Sequence, residues 1–205
     1  MGKAVGDKKE YTNRIRTGLM ISFGIYVICS ALICTFATQL LSFMAASQDI
    51  IPASATYIRI ESIANIFVLL SNFALICLVT LGSSKYVYFL TVAKLILSVM
   101  FDTFFVSGLS ISANLGVNGI GYSNIIVNMI LFTISVILLS KEGYSLFNKE
   151  QLSFVWMKDF VKIGGISGLE SFVRNIAYML MISRMINMVN DQGTYWVANS
   201  FIWGW

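Results

Sequence analysis

Long apolar stretches alternate with short polar joints along all 205 residues of the chain. A helix needs about 20 residues to cross the roughly 30 Å hydrocarbon core of a bilayer, and each stretch is at least that long. Because a backbone in lipid must satisfy its own hydrogen bonds, each stretch is predicted to be a helix. The predicted spans are 17–45, 58–81, 86–108, 119–140 and 163–189. The expected fold class is therefore an all-α, polytopic membrane helix bundle.

Basic residues are concentrated in alternate polar segments, which predicts the orientation of the bundle. The joints 46–57 and 109–118 contain no Lys or Arg. The basic residues of the other segments are Lys3, Lys8, Lys9, Arg14, Arg16, Lys85, Lys141, Lys149, Lys158 and Lys162. By the positive-inside rule, these segments lie in the cytoplasm. We predict a multi-pass integral protein of the plasma (inner) membrane with a cytoplasmic N-terminus.

Composition narrows the classes of function. The chain is 57% hydrophobic and 12% charged, whereas a soluble domain has about 25% charged residues. Topology accounts for the basic residues, so the predicted partner is the lipid bilayer and not nucleic acid. The sequence has no His, and it lacks the usual phosphate-binding, dinucleotide-binding, hydrolase and metalloprotease motifs. No enzyme activity, cofactor or metal site is predicted.

Residues 148–162 have a different pattern from the apolar spans. Leu152, Val155, Trp156 and Phe160 recur at about helical spacing, with Lys and Asp on the other side. This pattern predicts an amphipathic helix on the cytoplasmic interface that links two bundles. The alternative is that the segment is the cytoplasmic extension of the next helix.

Several short segments, each built mainly from glycine and apolar residues, follow one another in a recognisable order. They are residues 2–11, 57–60, 81–85, 101–108, 115–121 and 162–166. In this order and spacing they resemble the multidrug and toxic compound extrusion (MATE) family, from the loop after its second helix to the opening of its seventh. Ser83, Thr103 and Ile166 depart from the family pattern by replacing an acidic residue and two prolines. The chain thus resembles a divergent MATE efflux transporter over about helices three to seven and the start of eight.

The resemblance implies a twelve-helix transporter with two lobes, which bind substrate between them and rock to alternate access. Residues 1–140 would then end the first lobe, 141–162 would be a cytoplasmic linker, and 163–205 would begin the second lobe. The apolar run at 195–205 stops at the chain end, so we expect a fragment whose partners include the missing helices. The implied function is export of drugs, small organic cations or metabolites, coupled to Na⁺ or H⁺ flow, with no other cofactor.

Ionisable residues inside a span are costly and therefore point to function. Glu170 and Arg174 are four residues apart, which places them on one face of a helix. One interpretation is a pair that binds the coupling cation or orients substrate. The other is a structural ion pair that holds this helix against a neighbour, because paired charges cost less in lipid than single ones.

Further candidates for cation or substrate binding lie in the other spans. They are Asp102, Asn72, Asn124 and Asn128. Each could line a cavity or simply join neighbouring helices by hydrogen bonds. Lys94 is expected to extend its ammonium group toward the interface. Arg59 and Glu61, at the start of the second span, are expected to be solvated at the outer interface.

Two other functions remain open. A lipid-linked oligosaccharide flippase of the same superfamily would favour a larger and more cationic cavity. This chain offers few basic residues within its spans, namely Lys94, Arg174 and Arg184. A non-transporting membrane remnant or partner subunit would be consistent with the abrupt chain end.

Overall fold

The computed structural model describes residues 7–44, 48–144, 146 and 152–188, and these residues form five α-helices. No strand occurs within those ranges, so the all-α prediction is confirmed. The helices are α1 (Lys8–Met44), α2 (Ile51–Thr80), α3 (Ser84–Val106), α4 (Asn118–Lys141) and α5 (Met157–Met188). The first residues of the chain, the side chain of Arg184 and the predicted turn and apolar run over 190–205 lie outside the described part.

All five helices begin before their predicted apolar spans, and α1 and α2 do so by the widest margin. The α1 helix starts at Lys8, where the Asp7 carboxylate accepts hydrogen bonds from the backbone N–H groups of Lys9 and Glu10 at 3.0 and 3.1 Å. The α2 helix starts at Ile51 with Pro52 in its first turn, where proline is well tolerated. Polar residues can extend a helix beyond the lipid, so hydropathy marks the span and not the helix.

Glycines end two helices at the face of the bundle that carries the N-terminus. After α2, Gly82 has φ +73°, and the N–H of Ser83 reaches back to the carbonyl of Leu78 at 3.1 Å. Gly143 has φ +84° after α4, and Tyr144 bonds to Leu139 in the same way at 2.9 Å. Both are Schellman endings, which satisfy carbonyl groups that the last helical turn leaves unpaired.

The helices pack in the order α1–α2–α4–α3. The largest contacts join α2 to α4, α1 to α2 and α3 to α4, while α2 and α3 touch only lightly. The buried core lies toward the N-terminal face, around Tyr11, Leu78, Val127 and Leu139. Within the described residues, α5 has no comparable contact with the other four helices.

The outer surfaces suit a lipid environment. The helices α1 to α4 are long and apolar enough to cross a membrane, and they present large apolar side chains outward, such as Phe43, Tyr88 and Leu95. The helix α5 is long enough but is not among the spans found in the described residues. It carries Lys158, Asp159, Lys162, Glu170, Arg174 and Arg184. A fifth membrane span is therefore not confirmed.

The linker before α5 is held by the start of α1. Asn13 Nδ2 donates to the backbone carbonyl of Ser153 at 2.8 Å, and the Ser153 N–H donates to Asn13 Oδ1 at 2.9 Å. Trp156 Nε1 also donates to Thr17 Oγ1 at 3.0 Å. We call these contacts the Asn13–Ser153 clamp. They join segments that are distant along the chain.

The separate amphipathic helix predicted over 148–162 is not present in the described residues. Residues 152–154 are not helical, 155–156 form a turn, and the helix from Met157 runs without a break into α5. The alternative, a helix that extends from the next span, describes residues 157–162. The clamp explains the non-helical part, because Asn13 binds both backbone groups of Ser153 that a helix would use.

We expect Asn13→Ala to loosen this linker. The change removes both hydrogen bonds between Asn13 and Ser153, each worth about 1 kcal/mol net, so amide exchange at Ser153 should be about 30-fold faster. Hydrogen exchange with mass spectrometry would measure the effect on peptides covering 152–156. Asn13→Asp keeps an acceptor for the Ser153 N–H and should have the smaller effect. Equal exchange in all three proteins would show that the clamp does not hold the linker.

Candidate functional site

A carboxylate lies at the contact between α2 and α4. Glu61 is half-buried, and its two oxygens accept hydrogen bonds from Asn124 Nδ2 at 3.1 and 3.3 Å. Along α2, Glu61 is about 15 Å from Ile51 and about 28 Å from Thr80. It therefore lies within the helix and not at its end, and the expectation that it is solvated at the outer interface remains a prediction.

Small residues bring the two helices together at this level. A Cβ atom on Gly121 would lie 2.6 Å from Ile60 Cγ2 and 3.5 Å from Glu61 Oε2. A larger residue would therefore push α4 away from α2 beside the carboxylate. One turn further along α4, Asn124 then comes within hydrogen-bond distance of Glu61.

The arginine nearest to Glu61 in sequence points elsewhere. Arg59 Nε donates to the carbonyl of Cys34 at 3.1 Å, and Arg59 Nη2 donates to Thr38 Oγ1 at 3.4 Å. Both acceptors belong to α1, whereas Asn124 is on α4. Among the residues that the structure describes, Glu61 has no ion-pair partner. Within the described residues, the side-chain partner of the Glu61 carboxylate is therefore a neutral amide, that of Asn124.

Polar contacts continue from Asn124 toward the N-terminal face. Asn128 Nδ2 donates to the carbonyl of Asn124 at 2.8 Å, and Asn128 Oδ1 accepts from Ser71 Oγ at 2.7 Å. Asn128 is only 2% exposed, so these bonds are shielded from solvent. Glu61, Asn124, Asn128 and Ser71 form what we call the polar line between α2 and α4. It runs for about 15 Å along α2.

The polar line ends at a groove between α2, α3 and α4. This groove has a volume of about 210 Å³. Its lining residues are Ser71, Asn72, Leu75, Leu90, Thr91, Lys94, Leu131 and Ser135. We call it the Lys94 groove. Asn72, one of the predicted site residues, is exposed here.

The other predicted site residues are not part of this arrangement. Asp102 is half-buried near the end of α3 and forms no hydrogen bond within the described residues. Glu170 and Arg174 are exposed on α5, and although both side chains are described, they do not form an ion pair with each other. Of the six candidates, the structure joins Asn124 to Asn128 and places Asn72 in the groove. Their roles remain predictions.

Glu61 is not a predicted site residue because it falls in the first turn of the span predicted from 58, where a charged side chain is ordinarily solvated. In the structure α2 begins at Ile51. The hydrogen bonds of Glu61 to Asn124 depend on how α2 packs against α4, which the apolar pattern does not specify. Among the described residues, no three His, Cys, Asp or Glu side chains come together as a metal site would require.

Comparison with known proteins identifies the family. A sequence model described as MatE matches residues 1–104, about half of the chain. The chain belongs to the MatE family. Its members are membrane transporters, so the resemblance inferred from the short segments is confirmed. No curated protein and no solved structure matches the chain significantly. The MatE match covers α1, α2 and most of α3, and thus includes Glu61, Asn72 and Lys94.

Proposed function

We propose that this MatE protein is a cation-coupled antiporter that exports small organic molecules by alternating access. The observation that supports this proposal is Glu61, a carboxylate inside a membrane helix with a neutral partner and no ion pair among the described residues. Binding of a proton or Na⁺ would neutralise its charge. The free energy of Glu61 in the membrane therefore depends on cation occupancy, which is the property that coupling requires.

Asn124 suits either coupling ion. If Glu61 takes a proton, one of its oxygens becomes a donor and the other can still accept from Asn124. If Glu61 binds Na⁺, the Asn124 side-chain oxygen can turn toward the ion as a second ligand. Either event changes the hydrogen bond between α2 and α4, so cation binding alters a helix contact and not only a local charge.

The polar line supplies a link between cation and substrate. It joins Glu61 through Asn124 and Asn128 to Ser71, which also lines the Lys94 groove. A change at Glu61 can therefore be transmitted to a cavity large enough for a small ligand. We further propose that the N-terminal face, with its Lys-rich segments, is cytoplasmic in the plasma membrane. In this arrangement the described helices belong to a two-lobe transporter in which 141–162 connects the lobes.

Everted membrane vesicles containing the protein would test this function. We expect ethidium, a small organic cation, to enter the vesicles when Na⁺ or H⁺ is more concentrated inside and no ATP is present. An ionophore that collapses the driving gradient should stop uptake, and vesicles without the protein give the background. Uptake that requires ATP, or that is unchanged after the gradient is collapsed, would contradict cation coupling.

A further inference from the structure

The Lys94 groove lies at a depth where a positive charge is costly. Lys94 is about 15 Å from the start of α3, and Asn72 is about 12 Å from the end of α2. Both positions fall within helices apolar enough to cross a membrane. Lys94 is exposed and lines the groove.

No acidic group in the described structure neutralises Lys94. The residues that line the groove include no Asp or Glu, and none of the described acidic side chains forms an ion pair with Lys94. Asp102, on the same helix, is about 12 Å further along the axis. Glu61 lies about 16 Å from Asn72 along α2. Lys94, which is exposed, therefore lines a groove with no counter-charge from the described residues.

The neutral lining supplies hydrogen-bonding groups beside this charge. Asn72 forms no side-chain hydrogen bond within the described residues, so its amide is available from the α2 side of the groove. Thr91 Oγ1 donates to the Val87 carbonyl at 2.9 Å, and Ser71 already binds Asn128. The uncommitted donors of the lining are thus the Lys94 ammonium, the Asn72 amide and the Ser135 hydroxyl, and the first two lie on α3 and α2. Two such donors can bind the two oxygens of one anionic group.

The volume of the groove limits the size of the ligand. At about 210 Å³ it exceeds the cavity of about 150 Å³ that accommodates benzene, and it is smaller than a typical drug pocket of about 300–1,000 Å³. Leu75, Leu90 and Leu131 provide apolar walls. A single ring or short chain that carries one anionic group fits this combination of size, wall and charge.

We propose that the Lys94 groove binds the carboxylate or phosphate of a small organic anion or zwitterion. As a binding site, the groove does not depend on coupled transport. As a substrate site it rests on the proposed function, and it then directs export toward anionic metabolites more than toward simple organic cations. The anionic group could belong to a free molecule or to a lipid headgroup, because both present the same oxygens.

Binding of 4-fluorobenzoate to the purified 205-residue chain in neutral detergent, followed by ¹⁹F NMR, would test the proposal. The comparison ligand is 4-fluorobenzamide, which has nearly the same shape without the charge. We expect the carboxylate to bind at least about 10-fold more tightly, as a charge-assisted hydrogen bond predicts. Equal affinity for the two ligands in the unmodified protein would overturn the proposal, whatever the variants do.

Matched lysine variants assign the effect to the groove. Lys94→Met should remove the preference for the carboxylate, whereas Lys94→Arg should keep it. Lys85→Met removes an exposed charge from the first turn of the same helix and should leave the preference unchanged. A carboxylate preference that survives Lys94→Met would also overturn the proposal.

Competition between added lipids and 4-fluorobenzoate identifies whether the bound anion is a lipid headgroup or a free molecule. Added phosphatidylglycerol should displace 4-fluorobenzoate if a lipid headgroup occupies the groove, and phosphatidylcholine should displace it less. If neither lipid displaces the ligand, the site serves a free anion, and both outcomes support anion binding. Because no gradient is used in this binding assay, charge-dependent binding without gradient-driven uptake of either ethidium or 4-fluorobenzoate would reject the proposed transport and leave this inference intact.

Discussion

Glu61→Gln is expected to abolish gradient-driven export while leaving the fold intact. The substituted glutamine side chain can still form a hydrogen bond with Asn124, so the contact between α2 and α4 remains. The amide cannot bind a proton or Na⁺ as a carboxylate does, and the driving gradient then has no group on which to act. We expect coupled uptake into everted vesicles to fall by more than about 10-fold, the equivalent of about 1.4 kcal/mol.

The thermal midpoint of the same variant separates a functional from a structural role. Replacing a membrane-embedded carboxylate with an amide removes a desolvation cost, so Tm in detergent should stay equal or rise. Glu142→Gln, at the exposed end of α4, is the matched control and should keep both transport and Tm. A low Tm with a normal transport rate per folded molecule would show that Glu61 is only structural.

Glu170→Gln tests the competing location of the coupling site. Glu170 is exposed on α5 and does not pair with Arg174. If Glu61 is the coupling carboxylate, Glu170→Gln should retain gradient dependence. Loss of coupling in Glu170→Gln, together with normal coupling in Glu61→Gln, would move the cation site to α5.

Gly119→Ala is expected to destabilise the contact between α3 and α4. A Cβ atom at this position would lie 2.9 Å from the Phe105 carbonyl oxygen and 3.0 Å from its carbon. The same oxygen accepts the N–H of Leu115 at 2.8 Å, so the loop fixes the carbonyl in place. The backbone must therefore shift, at a cost typical of overpacking, about 1–3 kcal/mol. A loss of about 5 °C in Tm is the corresponding change for a chain of this size.

Two other glycines provide comparisons for this measurement. Gly24→Ala, within α1, meets nothing within 4 Å and should be neutral or slightly stabilising. Gly121→Ala would bring its Cβ within 2.6 Å of Cγ2 of Ile60, the methyl fixed to the Ile60 Cβ, so it should also lower Tm, by separating α2 from α4. Equal Tm values for Gly119→Ala and Gly24→Ala would show that α3 and α4 can separate freely.

The helices could be predicted from the sequence because each apolar stretch leaves the backbone no other way to satisfy its hydrogen bonds in lipid. Hydropathy alone does not give the bounds of α1 and α2, because both helices begin in polar segments outside the apolar runs. The order α1–α2–α4–α3 depends on which faces fit together, and hydropathy carries no information on that choice.

The asparagines show the same limit at the site. Asn72 and Asn128 are indistinguishable as single polar residues within apolar spans. In the structure Asn128 is buried and bonded to Ser71, whereas Asn72 is exposed in the Lys94 groove. An asparagine has a structural role if its side of the helix packs against a neighbouring helix, and it can bind a ligand if that side lines a groove. Packing between segments distant in sequence decides which side is which.

The Asn13–Ser153 clamp also places a natural fluorophore at a junction. Trp156 bonds to Thr17 through its indole nitrogen and packs edge-on against Phe160, with ring centres 5.7 Å apart. The chain contains only three other tryptophans, Trp196, Trp203 and Trp205. With these replaced by Phe, the emission of Trp156 would report when the base of α5 separates from α1 during a transport cycle, without any attached dye.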